Sequence, residues 1–308
     1  MKTVYHYKLT SVACAPDELV MSINKYSSKY MAKLLFNSEE THDSVHGHSI
    51  LIDDENVPVT RDITELQNAD LIHFHNKSVD INKPKVIQYH SPPHQSYVDL
   101  DFVGKKLVIA QYHATLYSDC NIVRNIIDYN SSEYNINNVY DKIRIGFSPS
   151  VKLSRGNRAH ESKGWIETEE ILTKLQNKYN IEIDIIHDVS LSECLKRKSL
   201  CNIIIDECVT NSYHRSGLEG LALGKMTICS LDTAVSNILK TVANSPTIPF
   251  ENVWIENLES YLESIIIKND ISAIVNKGIE SRTWIETYWN PKNIVAEFEN
   301  IYDKILGI

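Results

Sequence analysis

A polar loop at residues 207–214, between a short apolar run and a predicted helix, has the residue types of an anion-binding site. The apolar run, residues 201–206, is rich in β-branched side chains and ends in an acid, which predicts a buried parallel strand. In an open α/β sheet such a loop lies at the carboxyl end of the strand, where ligands bind, and the start of the next helix offers N–H groups and a positive dipole end to an anion. The candidate binding residues are Tyr213, His214, Arg215, Ser216 and Gly217. Glu219 lies about one turn into the helix, where its carboxylate can accept hydrogen bonds from a ligand's hydroxyl groups.

A second loop, at residues 148–164, is cationic and lies between a predicted strand and a predicted helix. Its cations are Lys152, Arg155, Arg158 and Lys163. Four cations in this position can surround a diphosphate, although lysine and arginine are also common on any solvated loop. A third loop follows the predicted strand 181–187, at its carboxyl end, and Val189 in this loop is a candidate contact for the same ligand.

Histidines occur near the ends of neighbouring strands in the first half of the chain. The predicted strands at 70–75, 84–90 and 105–111 each end in polar or aromatic residues, so their histidines are expected to cluster on one rim of the sheet. For any one of them, a hydrogen-bonded structural histidine is the alternative. His90 is the preferred functional candidate, because the two prolines that follow it impose an extended, exposed turn.

Three further histidines, His42, His46 and His48, lie in a polar loop at residues 38–48. They lack a regular helical or strand spacing and a fourth ligand, which favours a solvated loop over a metal site. No Asp-x-Asp motif stands in a suitable place either, so no metal ligand is predicted.

The order of the predicted elements indicates two α/β domains. Strands and helices alternate through both halves, and 308 residues are enough for two domains with separate cores. The first domain is expected at residues 1–140 and the second at 141–290. A terminal helix is expected at 291–308, with Pro291 in its first turn.

The bulk composition narrows the class of protein. No apolar stretch reaches the ~18–20 residues that span a bilayer, and the first residues form a polar, alternating run rather than a signal peptide. The six cysteines form no CxxC pair, which favours reduced structural thiols. A net charge of −9 disfavours sequence-independent binding to nucleic acid. The chain is therefore expected to be cytoplasmic, without nucleic acid as a partner.

Taken together, these parts resemble the GT-B glycosyltransferases, particularly the large retaining group numbered family four. The similar parts are the cationic loop before Lys163, the polar loop before Glu219 and the segment 289–291, and the resemblance covers essentially the whole chain. It implies two Rossmann-like domains that face each other across a cleft. It also implies a nucleotide-sugar site in the second domain, an acceptor site in the first, and a last helix that crosses back to the first domain.

The resemblance implies roles for individual residues. Glu219 matches the second glutamate of the family's E-x7-E signature, which accepts hydrogen bonds from ribose hydroxyls. Lys163 matches the lysine of its Lys-Gly element, which pairs with the diphosphate, and Arg155 or Arg158 takes the place of the family's arginine. His90 matches the histidine that ends a strand of the acceptor domain beside the reacting sugar.

One position departs from the family pattern. The first glutamate of E-x7-E falls on Asn211, whose side chain can still hydrogen-bond a sugar hydroxyl. The acids Asp206 and Glu207 just upstream could take over sugar contacts, and the N–H groups of residues 215–217 could face the phosphate. The catalytic candidates are therefore His90, Lys163 and Asn211.

The implied function is transfer of a sugar from a UDP- or GDP-sugar to a glycan, glycolipid or other acceptor, with retention of configuration and without a metal or other cofactor. Two alternatives stay open: a nucleotide-sugar epimerase on the same fold, and a non-catalytic GT-B module that binds a partner. A transferase that acts on modified DNA bases is a minor alternative, since the net negative charge of the chain disfavours binding to DNA. The sequence decides neither peripheral membrane contact nor the oligomeric state.

Overall fold

The computed structural model describes residues 1–10, 12–36, 59–138, 140–155 and 162–308. These residues form two compact units. Unit 1 contains the described residues up to 128 together with Trp289–Ile308, and unit 2 contains the described residues of Tyr129–Tyr288. The divisions therefore fall at 128/129 and 288/289, whereas the sequence analysis placed them at 140/141 and 290/291.

The observed division at 128/129, earlier in the chain than the predicted one, is explained by Arg282 in unit 2. Its guanidinium donates hydrogen bonds to the carbonyl oxygens of Tyr129 (3.1 Å) and Tyr134 (3.2 Å). These bonds attach the polar segment that follows residue 128 to unit 2, so this segment belongs to the second unit and not to the end of the first.

Unit 1 is built on parallel strands. They are β1 (Lys2–Lys8), β2 (Tyr30–Phe36), β3 (Val59–Thr60), β4 (Leu71–His75), β5 (Lys85–Tyr89), β6 (Lys105–Ile109) and β7 (Asn121–Val123). Among the described residues they form one seven-stranded sheet in the order β3-β2-β1-β4-β5-β6-β7. The strand order reverses between β1 and β4, which makes that point the topological switch point of the sheet. The short edge strands β3 and β7 were not predicted, and the strand predicted at 49–53 lies outside the described residues.

In the described part of unit 1, helix α1 and several 3₁₀ turns connect these strands. Helix α1 (Ala15–Tyr26) has a proline in its first turn and buries Leu19, Val20 and Ile23, which face one side of the helix. The turn at Ile63–Asn68 is a 3₁₀ helix capped by the side chain of Asp62.

Unit 2 alternates strands with helices. Its strands are β8 (Arg144–Phe147), β9 (Glu182–Ile185), β10 (Ile203–Glu207), β11 (Met226–Cys229) and β12 (Glu251–Asn252). Its helices are α2 (Trp165–Lys178), α3 (Leu191–Ser199), α4 (Arg215–Ala222), α5 (Thr233–Ala243), α6 (Ile255–Lys268) and α7 (Ile271–Tyr288). The described strands form a parallel sheet in the order β12-β11-β10-β8-β9, which reverses between β8 and β10. Both of these strands are buried apolar runs, as predicted for a parallel sheet covered on two faces.

A glycine allows α7 to pack closely on the rest of unit 2. A Cβ atom on Gly278 would lie 2.1 Å from the carbonyl oxygen of Gly224, in the turn that joins α4 to β11. Only glycine fits at this contact, because no side chain can be accommodated that close to backbone.

The last helix, α8 (Pro291–Leu306), packs on unit 1. The Tyr302 hydroxyl lies 2.8 Å from Nδ1 of His73, and the indole N–H of Trp289 donates to the carbonyl oxygen of Asn125 (2.8 Å). Two parallel α/β units with helices confirm the predicted fold class. Within the described residues, none of the helices has both the length and the apolar character that crossing a bilayer requires.

Candidate functional site

A cluster of charged side chains lies at the switch point of unit 2, where β8 and β10 end and α4 begins. It consists of Lys163, Lys198, Asp206, Arg215 and Glu219, and is called the charged cluster below. Asp206 comes from the end of β10, whereas Arg215 and Glu219 come from the first turns of α4. The topology alone explains the place of the cluster, since open parallel sheets bind ligands at this point.

Lys163 and Asp206 form the first ion pair of the charged cluster. Lys163 Nζ lies 3.0 Å from Asp206 Oδ1, and the two side chains are 7% and 0% exposed. The other carboxylate oxygen of Asp206 accepts the backbone N–H of His214 (2.5 Å), the residue directly before α4. The start of this helix therefore already has one anion in contact with it, and Lys163 balances that charge.

The backbone explains why a Lys-Gly pair stands here. Lys163 has φ +53° and Gly164 has φ +63°, both in the left-handed region. A Cβ atom on Gly164 would lie 2.6 Å from Cγ1 of Val209, which excludes any larger residue. The turn that presents Lys163 therefore depends on the glycine that follows it.

Glu219 forms the second buried ion-pair group. Its two oxygens lie 2.6 Å from Lys198 Nζ and 3.0 Å from Arg215 Nε, and the Glu219 side chain is 6% exposed. Burial alone would raise the pKa of Glu219, but the two cations outweigh it and hold this pKa at about 2. Glu219 is therefore ionised and held in place before any ligand binds.

Hydroxyl groups join the second ion-pair group to β8. Lys198 Nζ donates to Ser216 Oγ (2.9 Å), which lies 2.8 Å from the Oγ of Ser148, the residue after β8. The described side chains of the charged cluster comprise three cations and two carboxylates, hence a net charge of +1. This excess suits an anionic ligand at the start of α4, where the helix dipole also favours negative charge.

Gly217 allows Asp206 to approach the helix. A Cβ atom there would lie 2.6 Å from Oδ2 of Asp206 and 3.1 Å from the ring of Phe250. A glycine in the first turn of α4 is thus a condition for the observed position of the carboxylate.

The loop between β10 and α4 is shaped by Glu207. The carboxylate accepts the backbone N–H groups of Val209 (2.8 Å), Thr210 (2.7 Å) and Ser212 (3.2 Å). Burial raises the pKa of Glu207 to about 7, although these N–H groups act in the opposite direction. Asn211, at the turn of this loop, has φ +64°, and its Oδ1 is buried without a hydrogen-bond partner among the described residues. Asn211 therefore offers an unused acceptor in the loop that precedes α4.

The structure brings together most of the predicted unit 2 residues but not all. Lys163, His214, Arg215, Ser216, Gly217 and Glu219 lie at the switch point. Tyr213 is buried and stacks on Phe250, with ring centroids 5.7 Å apart. Arg155 is half-exposed and forms an ion pair with Glu256 (2.5 Å) at the start of α6, so it is not part of the charged cluster. Val189 lies partly buried in the loop between β9 and α3, and Arg158 lies outside the described residues.

Two participants were missed by the sequence analysis, namely Lys198 and Ser148. The sequence predicts a helix at residues 190–198 but indicates no role for Lys198, since a lysine in the last turn of a helix is common. Its side chain is 1% exposed and directed to Glu219. Burial of this kind cannot be read from helical spacing in a helix as polar as α3.

Histidines form a second polar group, at the switch point of unit 1. His75 Nδ1 lies 2.9 Å from His90 Nε2, and His75 Nε2 lies 3.1 Å from Nδ1 of His6. His73 stacks on His75 with ring centroids 4.5 Å apart. Burial lowers the pKa of His6 and of His90 to about 3. His6 was not predicted, because it lies inside a strand and not at its end, and His42, His46 and His48 lie outside the described residues.

No family model matches the sequence, and no curated protein matches it. Solved structures match the fold over nearly the whole chain. A glycosyltransferase from Rickettsia africae has 13% identity and a TM-score of 0.59, with 99% of this chain and 98% of that chain covered. Sucrose-phosphate synthase from Thermosynechococcus elongatus has 10% identity and a TM-score of 0.61, with both chains fully covered. Anabaena HepE in complex with UDP and glucose has 10% identity and a TM-score of 0.62, with 99% and 100% covered.

These likenesses show the fold of the chain, which is that of GT-B proteins. Both Rossmann-like units are matched, since the aligned regions extend over nearly all of each chain. At 10–13% identity the comparisons carry no residue roles, so the chemistry must be argued from the side chains of this chain.

Proposed function

We propose that the chain is a glycosyltransferase that binds a nucleoside-diphosphate sugar in unit 2 and transfers the sugar to an acceptor. The observation that carries this proposal is the charged cluster, an excess of cations at the start of α4 and at the switch point of the sheet. The HepE structure, which holds UDP and glucose on the same fold, supports the choice of ligand class.

The chemistry assigned to Lys163 is stabilisation of the leaving diphosphate. Negative charge grows on that group as the glycosidic bond breaks, and a fixed ammonium beside it lowers the barrier. The ammonium of Lys163 has three N–H donors, of which Asp206 accepts one. Lys163 can therefore contact the phosphate while Asp206 keeps it in position.

Glu219 and Asn211 are assigned to hydroxyl groups of the ligand. Each Glu219 oxygen accepts one hydrogen bond from a cation and keeps a further lone pair for a ribose hydroxyl. The unpartnered Oδ1 of Asn211 is assigned to a hydroxyl of the transferred sugar. Asn211→Ala should leave the affinity for UDP unchanged and lower turnover, because Asn211 contacts only the sugar in this assignment.

His90 is assigned to the acceptor side, because it lies in unit 1 and the charged cluster lies in unit 2. His90→Asn should lower turnover without changing the affinity for UDP. An equal loss of UDP affinity would remove His90 from the acceptor side.

The test of the proposed function is product analysis with a panel of UDP- and GDP-sugars, with and without candidate glycan acceptors. A transferase releases the nucleoside diphosphate and lengthens the acceptor. An epimerase instead converts the nucleotide sugar without any acceptor. Proton NMR of the product gives the anomeric configuration, which we expect to be retained, and omission of Mg²⁺ tests the expectation that no divalent cofactor is needed.

A non-catalytic GT-B module is the second candidate. It is favoured by the amide at Asn211, where the resembling family has a glutamate, and by the carboxylate of Glu219, both oxygens of which are paired within the protein. Calorimetry decides between the two, because a module that binds only a protein partner gives no heat with any nucleotide or nucleotide sugar.

A further inference from the structure

Among the described residues, the histidine cluster of unit 1 is a concentration of chemically versatile side chains that the proposed function does not use in full. It consists of His6 on β1, His73 and His75 on β4, and His90 after β5. His6 and His73 are direct neighbours in the parallel register of β1 and β4, and His75 lies two residues further along. Because side chains two residues apart point to the same face of a strand, the sheet itself brings these three imidazoles together.

The imidazole nitrogens of the cluster are incompletely satisfied. Nε2 of His6 and Nε2 of His73 make no hydrogen bond of normal geometry among the described residues, although the side chain of Gln88 interacts with His73, and both histidine side chains are 0% exposed. A buried polar atom left unpaired is unfavourable, so two such atoms on neighbouring rings, with centroids 4.7 Å apart, require an explanation. A bound ion that accepts the nitrogen lone pairs supplies one.

The outer contacts of the cluster match those of metal-ligating histidines. A ligating imidazole typically uses one nitrogen for the metal and hydrogen-bonds the other to an outer partner. His73 Nδ1 lies 2.8 Å from the Tyr302 hydroxyl, and His75 Nδ1 lies 2.9 Å from His90 Nε2. Each of these two rings therefore directs its Nε2 away from its outer partner.

We propose that His6, His73 and His75 bind one late first-row transition metal ion of the Zn²⁺ class at the switch point of unit 1. One nitrogen from each ring lies within 4.8 Å of one nitrogen from each of the others. Zn–N bonds of about 2.0–2.1 Å place the nitrogens about 3.3–3.6 Å apart, so binding needs modest ring rotations. Binding replaces the hydrogen bond between His75 Nε2 and His6 Nδ1 (3.1 Å), since His75 ligates through Nε2 and His6 through its unpaired Nε2. Neutral imidazole donors select such an ion over Mg²⁺ or Ca²⁺, which prefer oxygen.

The role of the ion is to tie β1 to β4 and, through His75, to fix the position of His90. Lys8, two residues after His6, adds no unbalanced charge, because it is paired with Asp17 at 2.6 Å. Tyr302 of α8 is a positioning residue in this scheme, since it orients His73 without touching the metal.

The test is metal analysis of tag-free full-length protein, followed by titration of the chelator-treated protein with ZnCl₂. We expect about one zinc ion per chain. His6→Asn and His73→Asn should weaken zinc binding by more than about 100-fold, and Tyr302→Phe by about 10–100-fold, the range for loss of an outer partner. His94→Asn, an exposed histidine outside the cluster, is the matched control and should bind zinc as the wild type does.

Three outcomes would overturn the proposal. The first is a wild-type protein that neither retains nor takes up stoichiometric zinc. The second is unchanged zinc affinity in both cluster variants. The third is loss of zinc from the variant with His42, His46 and His48 all changed to asparagine, because the ion would then lie in that loop. A visible absorption spectrum of Co²⁺ bound to the wild type gives the ligand field directly, so the proposal stays testable even if a cluster variant does not fold.

Discussion

The carboxylate of Glu219 gives the sharpest quantitative prediction, because it is buried between two cations. Replacement by glutamine keeps the shape but leaves Lys198 and Arg215 without a counter-charge in a buried site. Breaking a buried ion pair from one side costs about 3–5 kcal/mol. We therefore expect Glu219→Gln to lower the free energy of unfolding at pH 7 by about 3 kcal/mol or more.

The same magnitude follows from the pKa of Glu219, which falls from 4.5 to about 2 on folding. Each pKa unit corresponds to about 1.4 kcal/mol, so the ionised carboxylate contributes about 3 kcal/mol. Because the folded pKa is the lower one, this contribution is fully present above pH 4.5 and is lost as the pH falls from 4.5 towards 2. The difference between the wild type and Glu219→Gln should therefore shrink over that range.

The assay is urea unfolding of both proteins at pH 7, 4 and 3. Glu280→Gln is the control, because Glu280 forms an exposed ion pair with Lys277 (3.2 Å), and such pairs contribute about 0–1 kcal/mol. The reasoning fails if Glu219→Gln costs no more than Glu280→Gln at pH 7, or if its cost is the same at pH 7 and pH 3.

Three further predictions test the packing and electrostatics of unit 2. Gly217→Ala should weaken UDP binding about tenfold or more, equivalent to about 1.4 kcal/mol, because the new methyl group displaces the Asp206 carboxylate; calorimetry checks this, and unchanged affinity would contradict it. Gly278→Ala should lower the free energy of unfolding, measured in urea, by about 2 kcal/mol or more, because the new Cβ would meet the carbonyl oxygen of Gly224. Helix propensity alone predicts the opposite, a stabilisation of about 1 kcal/mol, so a stabilised variant would show the contact to be wrong. Burial lowers the pKa of Lys225 from 10.5 to about 8, so between these pH values the folded protein binds fewer protons than the unfolded one. The free energy of unfolding should therefore rise by up to about 3 kcal/mol between pH 8 and 10.5. Lys225→Met should lack this rise, and an identical pH profile of the variant and the wild type would refute the assignment.

Much of the fold follows from local sequence signals. The sequence predicts helices from about Pro16 to Tyr26 and from Ile271 to Tyr288, and the bounds of α1 and α7 agree with these to within one residue. Pro16, in the first turn of α1, is a local start signal. The edge strands β3, β7 and β12 were missed because two or three residues carry no periodic pattern. Such short edge strands form only through backbone hydrogen bonds to the adjacent strand, which is distant in the sequence.

The location of the candidate site could be predicted from the sequence, but the ion pairs within it could not. The polar loop and the helix start that precede Glu219 are local features, and the rule for parallel sheets locates them at the switch point. The partners of Glu219 and Lys163 are not local, because Lys198 and Asp206 come from other elements. Sequence reading consequently treated both residues as open to a ligand, whereas each is already in a buried ion pair.

This pairing changes what a single substitution at Lys163 would report. If Lys163 were open to a ligand, as the sequence indicates, Lys163→Ala would lower turnover with little effect on thermal stability. In the structure, the same change leaves Asp206 buried at 0% exposure without its counter-charge, which is itself destabilising. Replacing both partners by neutral residues of similar size avoids the unpaired charge.

The most direct test of a nucleoside-diphosphate site at the charged cluster is a calorimetric titration with UDP of three proteins. They are the wild type, the double variant Lys163→Met/Asp206→Asn, and a control, Lys8→Met/Asp17→Asn, which removes an equally buried Lys–Asp pair from unit 1. The account predicts saturable binding by the wild type and by the control, and an affinity at least about tenfold lower for the cluster variant. Equal affinity in all three proteins, or no binding of UDP or GDP to the wild type, would contradict it.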